Sequence, residues 1–344
     1  CRVHVGTATI PKALCDLIMA ALGGEMQVCE VRLTDAELDR YDRHSVEKVE
    51  GEDAARARIA EAVEAGERVL VVSNRVARAQ ERFQWVAEQF PHVSRLLLHS
   101  RYRRTDRARL ERGVHALSEG PWQGPCVVSA TQVVEVSLDV SFGVLVTDAA
   151  PLDALIQRFG RVNRHARAGD PPRPVVVVAA PENPKDILPY EAEPVRRSYD
   201  LLPLGPLRER SLQELINAVY PTIAPLPIDL HLAHDPDLTE RLRALEHHPR
   251  SVIVEALQIE SETAVRQSDA AQYERGPAGA RVLLEIPAPE SLGKVARKNG
   301  WKRVERGAWP VVVPDEQYDA VFGLLPLRHV EPADPSEPFD ARAI

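Results

Sequence analysis

Apolar positions in the first half of the chain alternate between two textures. Short unbroken runs, RVLVVSN (68–74), RLLLHS (95–100), PCVVSAT (125–131), GVLVTDAAP (143–151) and PRPVVVVAAP (172–181), have the length and β-branched content of strands buried on both faces. VHVGTAT (3–9) and QVCEVRL (27–33) read as strands too. Between them, residues 11–22, 53–66, 76–90 and 103–120 space their apolar side chains three and four apart, which predicts helices. Pro11 opens the first of these, Pro91 stops the third, and Gly66 and Gly120 close the other two. Strands alternating with helices in this way predict an α/β fold, a parallel sheet with helices on both faces.

The last helix of the series carries the most pointed chemistry. Leu152, Leu155, Phe159 and Val162 make a core stripe, and QRFGRVNRH (157–165) sets Gln157, Gly160, Arg161 and Arg164 on the opposite face of a continuous helix. Two arginines beside a small residue suit a polyphosphate. They equally suit a solvated face with salt-bridged side chains. From about residue 181 the texture changes and prolines accumulate. Helices are predicted at 207–219 and 237–247 and strands near 251–257, 281–286 and 308–313, which together indicate a second, smaller α+β domain.

Charge narrows the choice. The 344 residues carry a net charge of −8, yet residues 70–170 hold 14 Arg, no Lys and 10 acidic residues, a local +4 that leaves −12 elsewhere. Local positive charge on an acidic chain fits a bounded anion site better than a broad basic surface. No apolar run reaches the length of a membrane helix, so no membrane association is expected. Cys1, Cys15, Cys29 and Cys126 form no CxxC pair, which predicts free thiols in a reducing compartment and no metal site.

Polar residues then cluster where the predicted strands end: Ser73, Asn74 and Arg75; His99, Ser100 and Arg101; Ser129, Thr131 and Gln132; and Asp148. Open parallel sheets bind ligands at that edge. Any one of these residues reads as readily as a cap or turn, but the set argues for a site.

In order, GTATIP (6–11), VVSNRVARAQ (71–80), LLLHSRYRRTDRARLE (96–111), VVSATQVVEVSLDVSFGVLVTDAAP (127–151) and QRFGRVNR (157–164) resemble the motifs of superfamily 2 helicases, from the end of the first RecA-like lobe through the second. The wording of HSRYRRTDR, TQVVEVSLDVSFG and QRFGRVNRH, with WPVVVPDEQYDAVFGLLP (309–326), is most similar to the CRISPR-associated helicase–nuclease of type I interference. The resemblance implies three parts: 1–10 as the end of the first lobe, 11–180 as a RecA-like second lobe, and 181–344 as linker and accessory domain. It implies that Arg161 and Arg164 reach the ATP γ-phosphate, with Gln157, Gly160 and Asp139 at the nucleotide. Asn74, His99, Ser100, Arg101, Thr131 and Gln132 would hold backbone phosphates, and Thr7, Thr9 and Glu135 would couple hydrolysis to movement. The implied cofactor is ATP with Mg, bound mainly by a first lobe. The implied partners are single-stranded DNA and an RNA-guided CRISPR surveillance complex, for a monomeric cytoplasmic protein.

Other readings remain open at this point: a different superfamily 2 DNA or RNA helicase, or a non-catalytic RecA-like nucleic-acid-binding module. Where the family often has an acidic residue, this chain has Gly143, with little effect expected because Asp139 is near in sequence. DEQY (315–318) mimics a Mg-binding box but follows the arginine motif instead of preceding GTATIP. HLAHD (231–235) suggests an HD-type metal nuclease, but without further partners it reads better as a helix with exposed histidines. No G-x-x-x-x-G-K-[ST] phosphate loop occurs anywhere, so the chain is expected to be part of a longer protein, with its N-terminal portion missing, and to be inactive alone as an ATPase.

Overall fold

The computed structural model describes residues 9–22, 31–120, 124–135, 138–167, 169–183, 187–223 and 262–327. The chain forms two compact units, one of Cys1–His99 with Arg109–Ile228, the other of Ser100–Ala108 with Asp229–Ile344.

The first unit is built on a seven-stranded sheet. Its strands are β1 (His44–Val49), β2 (Arg68–Val72), β3 (Ser94–Leu98), β4 (Cys126–Ala130), β5 (Val144–Asp148), β6 (Arg173–Val178) and β7 (Gly205–Leu207). The order is β3-β4-β2-β5-β6-β1-β7, every pairing parallel except the antiparallel β1–β7 edge. The helices are α1 (Lys12–Leu22), α2 (Asp35–Leu38), α3 (Gly51–Glu64), α4 (Val76–Gln89), α5 (Arg104–Ser118, of which only the part from Arg109 onward belongs to this unit), α6 (Leu152–Phe159), α7 (Ala192–Leu201) and α8 (Leu212–Val219).

Both faces of the sheet are covered, which explains the unbroken apolar runs. Val69, Val71, Val127, Val146 and Val176 join Ile59 of α3 and Val86 of α4 in one core. Their sequence neighbours Leu70, Val128, Leu145, Val175 and Val177 join Leu155 and Phe159 of α6 and Ile216 of α8 in the other. Each such side chain contributes about 1.5–3 kcal/mol by leaving water. Gly66 ends α3 at φ +79°, a conformation that favours glycine.

The structure departs from the sequence reading at several points. The arginine helix stops at Phe159, with Gly160 as its C-cap. Val162 still fills the stripe, but through a bridge to Phe142, and Asn163 takes φ 51°. The continuous helical face of Gln157, Gly160, Arg161 and Arg164 therefore does not exist. Strand β1 was unforeseen, and the run at 281–286 is mostly helical, as described below. Beyond residue 180, β7, α7 and α8 belong to the first unit because β7 pairs with β1 and Val195, Ile216 and Val219 enter its core. Thr7, Cys1, Cys29, the HLAHD stretch, the helix at 237–247 and the strand at 251–257 lie outside the described residues, as do most of the strands at 3–9 and 27–33.

The second unit is a mixed α/β assembly. Strands β8 (Glu262–Arg266), β9 (Ile286–Ala288) and β10 (Val311–Val313) form a sheet in the order β10-β8-β9, and β11 (Tyr318–Asp319) pairs with β12 (Gly323–Leu324). Helices α9 (Gln267–Arg275), α10 (Ala278–Leu284) and α11 (Ser291–Lys298) complete it. Ala264, Ile286, Leu292, Val311 and Val313 pack as one core, Val265, Tyr273, Leu284 and Val304 as another. Among the described residues no helix is long and apolar enough to cross a membrane. The described cysteines, Cys15 and Cys126, are free, and burial pushes the Cys126 thiol up to about 11.

Candidate functional site

The C-terminal edge of the first unit's sheet gathers the predicted polar residues around Asn74, which is 7% exposed. Its backbone N–H donates to Asp148 Oδ2 at 3.0 Å and its side-chain amide to the Ala149 carbonyl at 2.8 Å. Its Oδ1 accepts from Arg158 at 3.1 Å and its carbonyl from Gln132 Nε2 at 2.8 Å. Thr131 and His99 are buried at the ends of β4 and β3. Thr9 lies in coil before α1. Ser100 and Arg101 fall in the second unit and are taken up with it below.

Two fully buried arginines underlie this edge, and the sequence reading named neither. Arg82 of α4 pairs with Asp148 at 3.0 Å and Glu52 at 2.9 Å and donates to Ser73 Oγ at 3.1 Å. Burial alone would raise the Glu52 carboxyl, but the Arg82 and Arg78 guanidiniums outweigh it and hold that group below the usual carboxylate range. Arg158 of α6 donates to Glu135 Oε1 and Thr147 Oγ1, each at 2.8 Å, to the Asp148 carbonyl at 3.2 Å and to Tyr190 at 3.2 Å. Burial raises the Glu135 carboxyl, against the pull of Arg158. One signal was present: Arg158 stands three residues after Leu155, inside the core stripe.

Glu135 joins this network to the arginine turn. Its carboxylate holds Arg158, while its backbone carbonyl accepts from Arg161 Nη2 at 2.6 Å. Arg161 also donates to the Leu138 carbonyl, and burial, then Arg164, disfavours its charge. Arg164 is more open. It pairs with Asp139 at 2.6 Å, with side chains 38% and 72% exposed. Gln157 is exposed on α6. The structure thus brings Asn74, Gln132 and Glu135 together around Arg158, and Asp139, Arg161 and Arg164 together on the turn. A Cβ on Gly143 would run into the Glu67 carboxylate, which pairs with Arg173 at 2.7 Å, so glycine here leaves that pair room.

The turn is held from two sides. The Phe142 N–H donates to the Arg161 carbonyl at 2.9 Å, and the Arg164 N–H to Ser141 Oγ at 3.1 Å. Opposite, Arg43 donates to the Arg164 carbonyl and Asn163 to the Arg43 carbonyl, each at 3.0 Å. His44 Nε2 donates to the Val162 carbonyl at 3.0 Å from a site 4% exposed, its ring tilted against Phe159. Burial pushes His44 down to about 4 from 6.5. A depressed histidine leaves the native state proton-poor, so its stabilisation is complete above pH 6.5 and is lost as pH falls towards 4. That shift is worth at most about 3 kcal/mol. Urea unfolding should therefore show wild type weakening from pH 7 to pH 5 more steeply than His44→Gln. Parallel pH profiles for the two would refute this.

No group of three or more His, Cys, Asp or Glu able to hold a metal occurs among the described residues. Residues 65–167 match the family model described as CRISPR-associated nuclease/helicase Cas3, C-terminal. A Cas3 relative from Myxococcus xanthus is 39% identical over 162 residues, 45% of this chain and 20% of that protein. The CRISPR-associated endonuclease/helicase Cas3 of Thermus thermophilus is 39% identical over 110 residues, 31% of this chain and 12% of that protein. The matched stretch spans only 20% and 23% of the Myxococcus xanthus and Methanocaldococcus jannaschii relatives.

Among solved structures, a CRISPR-associated protein aligns with TM-score 0.64 at 19% identity, over 86% of this chain and 42% of that one. T. fusca Cas3 with ADP aligns with TM-score 0.55 at 19% identity, over 84% of this chain and 40% of that one. These likenesses establish the fold alone: a RecA-like α/β unit and a smaller mixed unit.

Proposed function

We propose, from the match of residues 65–167 to the Cas3-like C-terminal family model, that the chain is the second motor lobe and accessory domain of an ATP-dependent single-strand DNA translocase in type I CRISPR interference. The observation that carries the reading is Glu135, whose carboxylate is tied to the strand-end network and whose carbonyl is tied to the arginine turn. Such a shared residue is the kind of physical link that coupling nucleotide state to strand grip requires.

The residues fit one end of a nucleotide. Arg164, paired with a largely exposed Asp139, can exchange that partner for a phosphate, and Arg161 stands three residues earlier in the same turn segment with its charge already disfavoured by burial. The chain has no G-x-x-x-x-G-K-[ST] loop, so the remaining phosphates and Mg are assigned to another lobe. When bound, ATP would supply the binding energy for lobe closure and the phosphoryl group whose transfer to water lets the lobes reopen. This chain's part is to place two positive charges beside it and to hold backbone phosphates at the sheet edge without reading sequence. The partners under this reading are a single DNA strand and an RNA-guided surveillance complex, and the setting is a cytoplasmic monomer.

The test compares the purified chain with a longer protein in which it follows a lobe bearing the phosphate loop. Strand-stimulated ATP turnover is expected only in the latter. Turnover by the chain alone at a comparable rate overturns the split-site reading.

A further inference from the structure

Six consecutive residues of the second unit's N-terminal segment are each bonded to its remainder. The Arg101 carbonyl accepts from the Leu324 N–H at 2.8 Å. Tyr102 is fully buried and its hydroxyl donates to the Val321 carbonyl. The Arg103 N–H donates to Tyr318 at 3.1 Å, and its guanidinium pairs with Asp269 at 3.1 Å. The Arg104 N–H donates to the Glu285 carbonyl at 3.1 Å. Thr105 Oγ1 donates to the Leu283 carbonyl at 2.8 Å, and Asp106 accepts from the Tyr318 hydroxyl at 2.7 Å.

These are directional contacts to β11, β12, α9, α10 and the residues beside them. Apolar packing alone would keep such a segment attached but leave it free to slide. Hydrogen bonds and ion pairs with fixed angles set its position. Asp269, 7% exposed, is also gripped by Arg266 at 2.6 Å, so its carboxylate cannot swing away from Arg103. Tyr318 is shared in the same way, accepting from Arg103 and donating to Asp106. The segment's first two residues, Ser100 and Arg101, are among those that the resemblance assigns to backbone phosphates.

We propose that the accessory unit positions the strand-contacting residues: Asp269 and Tyr318, acting through Arg103 and Asp106, hold Ser100 and Arg101 where they meet the phosphates of a single-stranded nucleic acid. This rests on the strand-contact reading of Arg101. Asp269 and Tyr318 are positioning residues that touch no nucleic acid. Within the second unit, residues more than 160 positions away in sequence thereby set the place of Ser100 and Arg101.

The test is binding of a fluorescent oligo-dT to the full 344-residue chain across a salt series. Removing one phosphate contact lowers the slope of log K against log salt by about 0.7 for a single strand. Arg101→Ala is expected to show that decrease. Asp269→Asn and the milder Tyr318→Phe are expected to weaken binding about threefold to tenfold with the same loss of slope, at unchanged far-UV circular dichroism. Arg101→Ala combined with Tyr318→Phe should bind no worse than Arg101→Ala alone. If Arg101→Ala lowers the slope while Asp269→Asn and Tyr318→Phe leave it intact, the positioning role is overturned. If Arg101→Ala itself changes nothing, the strand-contact reading has failed and the proposal falls with it.

Discussion

Arg164→Ala, made in the longer protein that supplies the phosphate loop, is expected to lower ATP turnover by about 10³–10⁵-fold, the range for an arginine that stabilises charge on a transferring phosphoryl group. Affinity for a single strand should change by less than about threefold, well under the roughly 1.4 kcal/mol that corresponds to tenfold, because Arg164 is assigned to the nucleotide and not to the strand's phosphates. The structure separates the two arginines. Arg161 is bonded to the carbonyls of Glu135 and Leu138, so replacing it loosens the segment that also carries the Arg158 partner. Arg164 lends its side chain mainly to Asp139 and the Gly160 carbonyl, at an exposed position. The clean loss of chemistry is therefore expected from Arg164→Ala. Arg161→Ala should combine lost turnover with a lower unfolding midpoint. Steady-state kinetics decide: a fall in kcat with little change in strand affinity supports the assignment, and wild-type kcat in Arg164→Ala removes Arg164 from the nucleotide site.

How much could be read ahead of the structure follows from where each residue finds its partners. The central strands were plain because a sheet covered on both faces demands unbroken apolar residues, as at Val69–Val72 and Val144–Val146. HSVEKV at 44–49 hid β1, since Glu47 and Lys48 interrupt its apolar run although the strand pairs in full register with β6. The end of α6 was masked for the opposite reason. Val162 keeps the helical spacing and is fully buried, yet it arrives there by bridging Phe142 after the chain has turned. The polar residues at the strand ends were identified from local sequence alone, but their arrangement was not. Asn74 looked like a phosphate contact, and its amide is engaged with Ala149 and Arg158. A buried arginine reveals itself only through its acceptors, and those of Arg82 and Arg158 are scattered along the chain, from Ser73 and Thr147, 9 and 11 residues away, to Glu52 and Asn74, 30 and 84 residues away. The grip on residues 101–106 spans greater distances still, so no local pattern announces it.

Arg158→Met is expected to cost about 3–5 kcal/mol of folding stability, the penalty for breaking a buried ion pair by removing one partner. Against a usual total of about 5–15 kcal/mol, that would leave the first unit marginal. Methionine replaces much of the buried aliphatic volume, so packing loss is small. What goes is the donor set: Glu135 loses its ion pair, and Thr147, the Asp148 carbonyl and Asn74 Oδ1 lose a hydrogen-bond donor. The pH dependence identifies the cause. Burial already raises Glu135, and without Arg158 that shift grows. A raised carboxyl makes the native state bind protons more tightly than the unfolded chain, so it stabilises at low pH and loses that contribution as pH rises through the folded value. The deficit of Arg158→Met relative to wild type should therefore be smaller near pH 5 than near pH 8, and adding Glu135→Gln should recover part of it at pH 8. Urea unfolding at the two pH values measures both effects. A deficit below about 1 kcal/mol would show that the network carries no more than ordinary neutral hydrogen bonds. A deficit independent of pH would place the loss elsewhere than at Glu135.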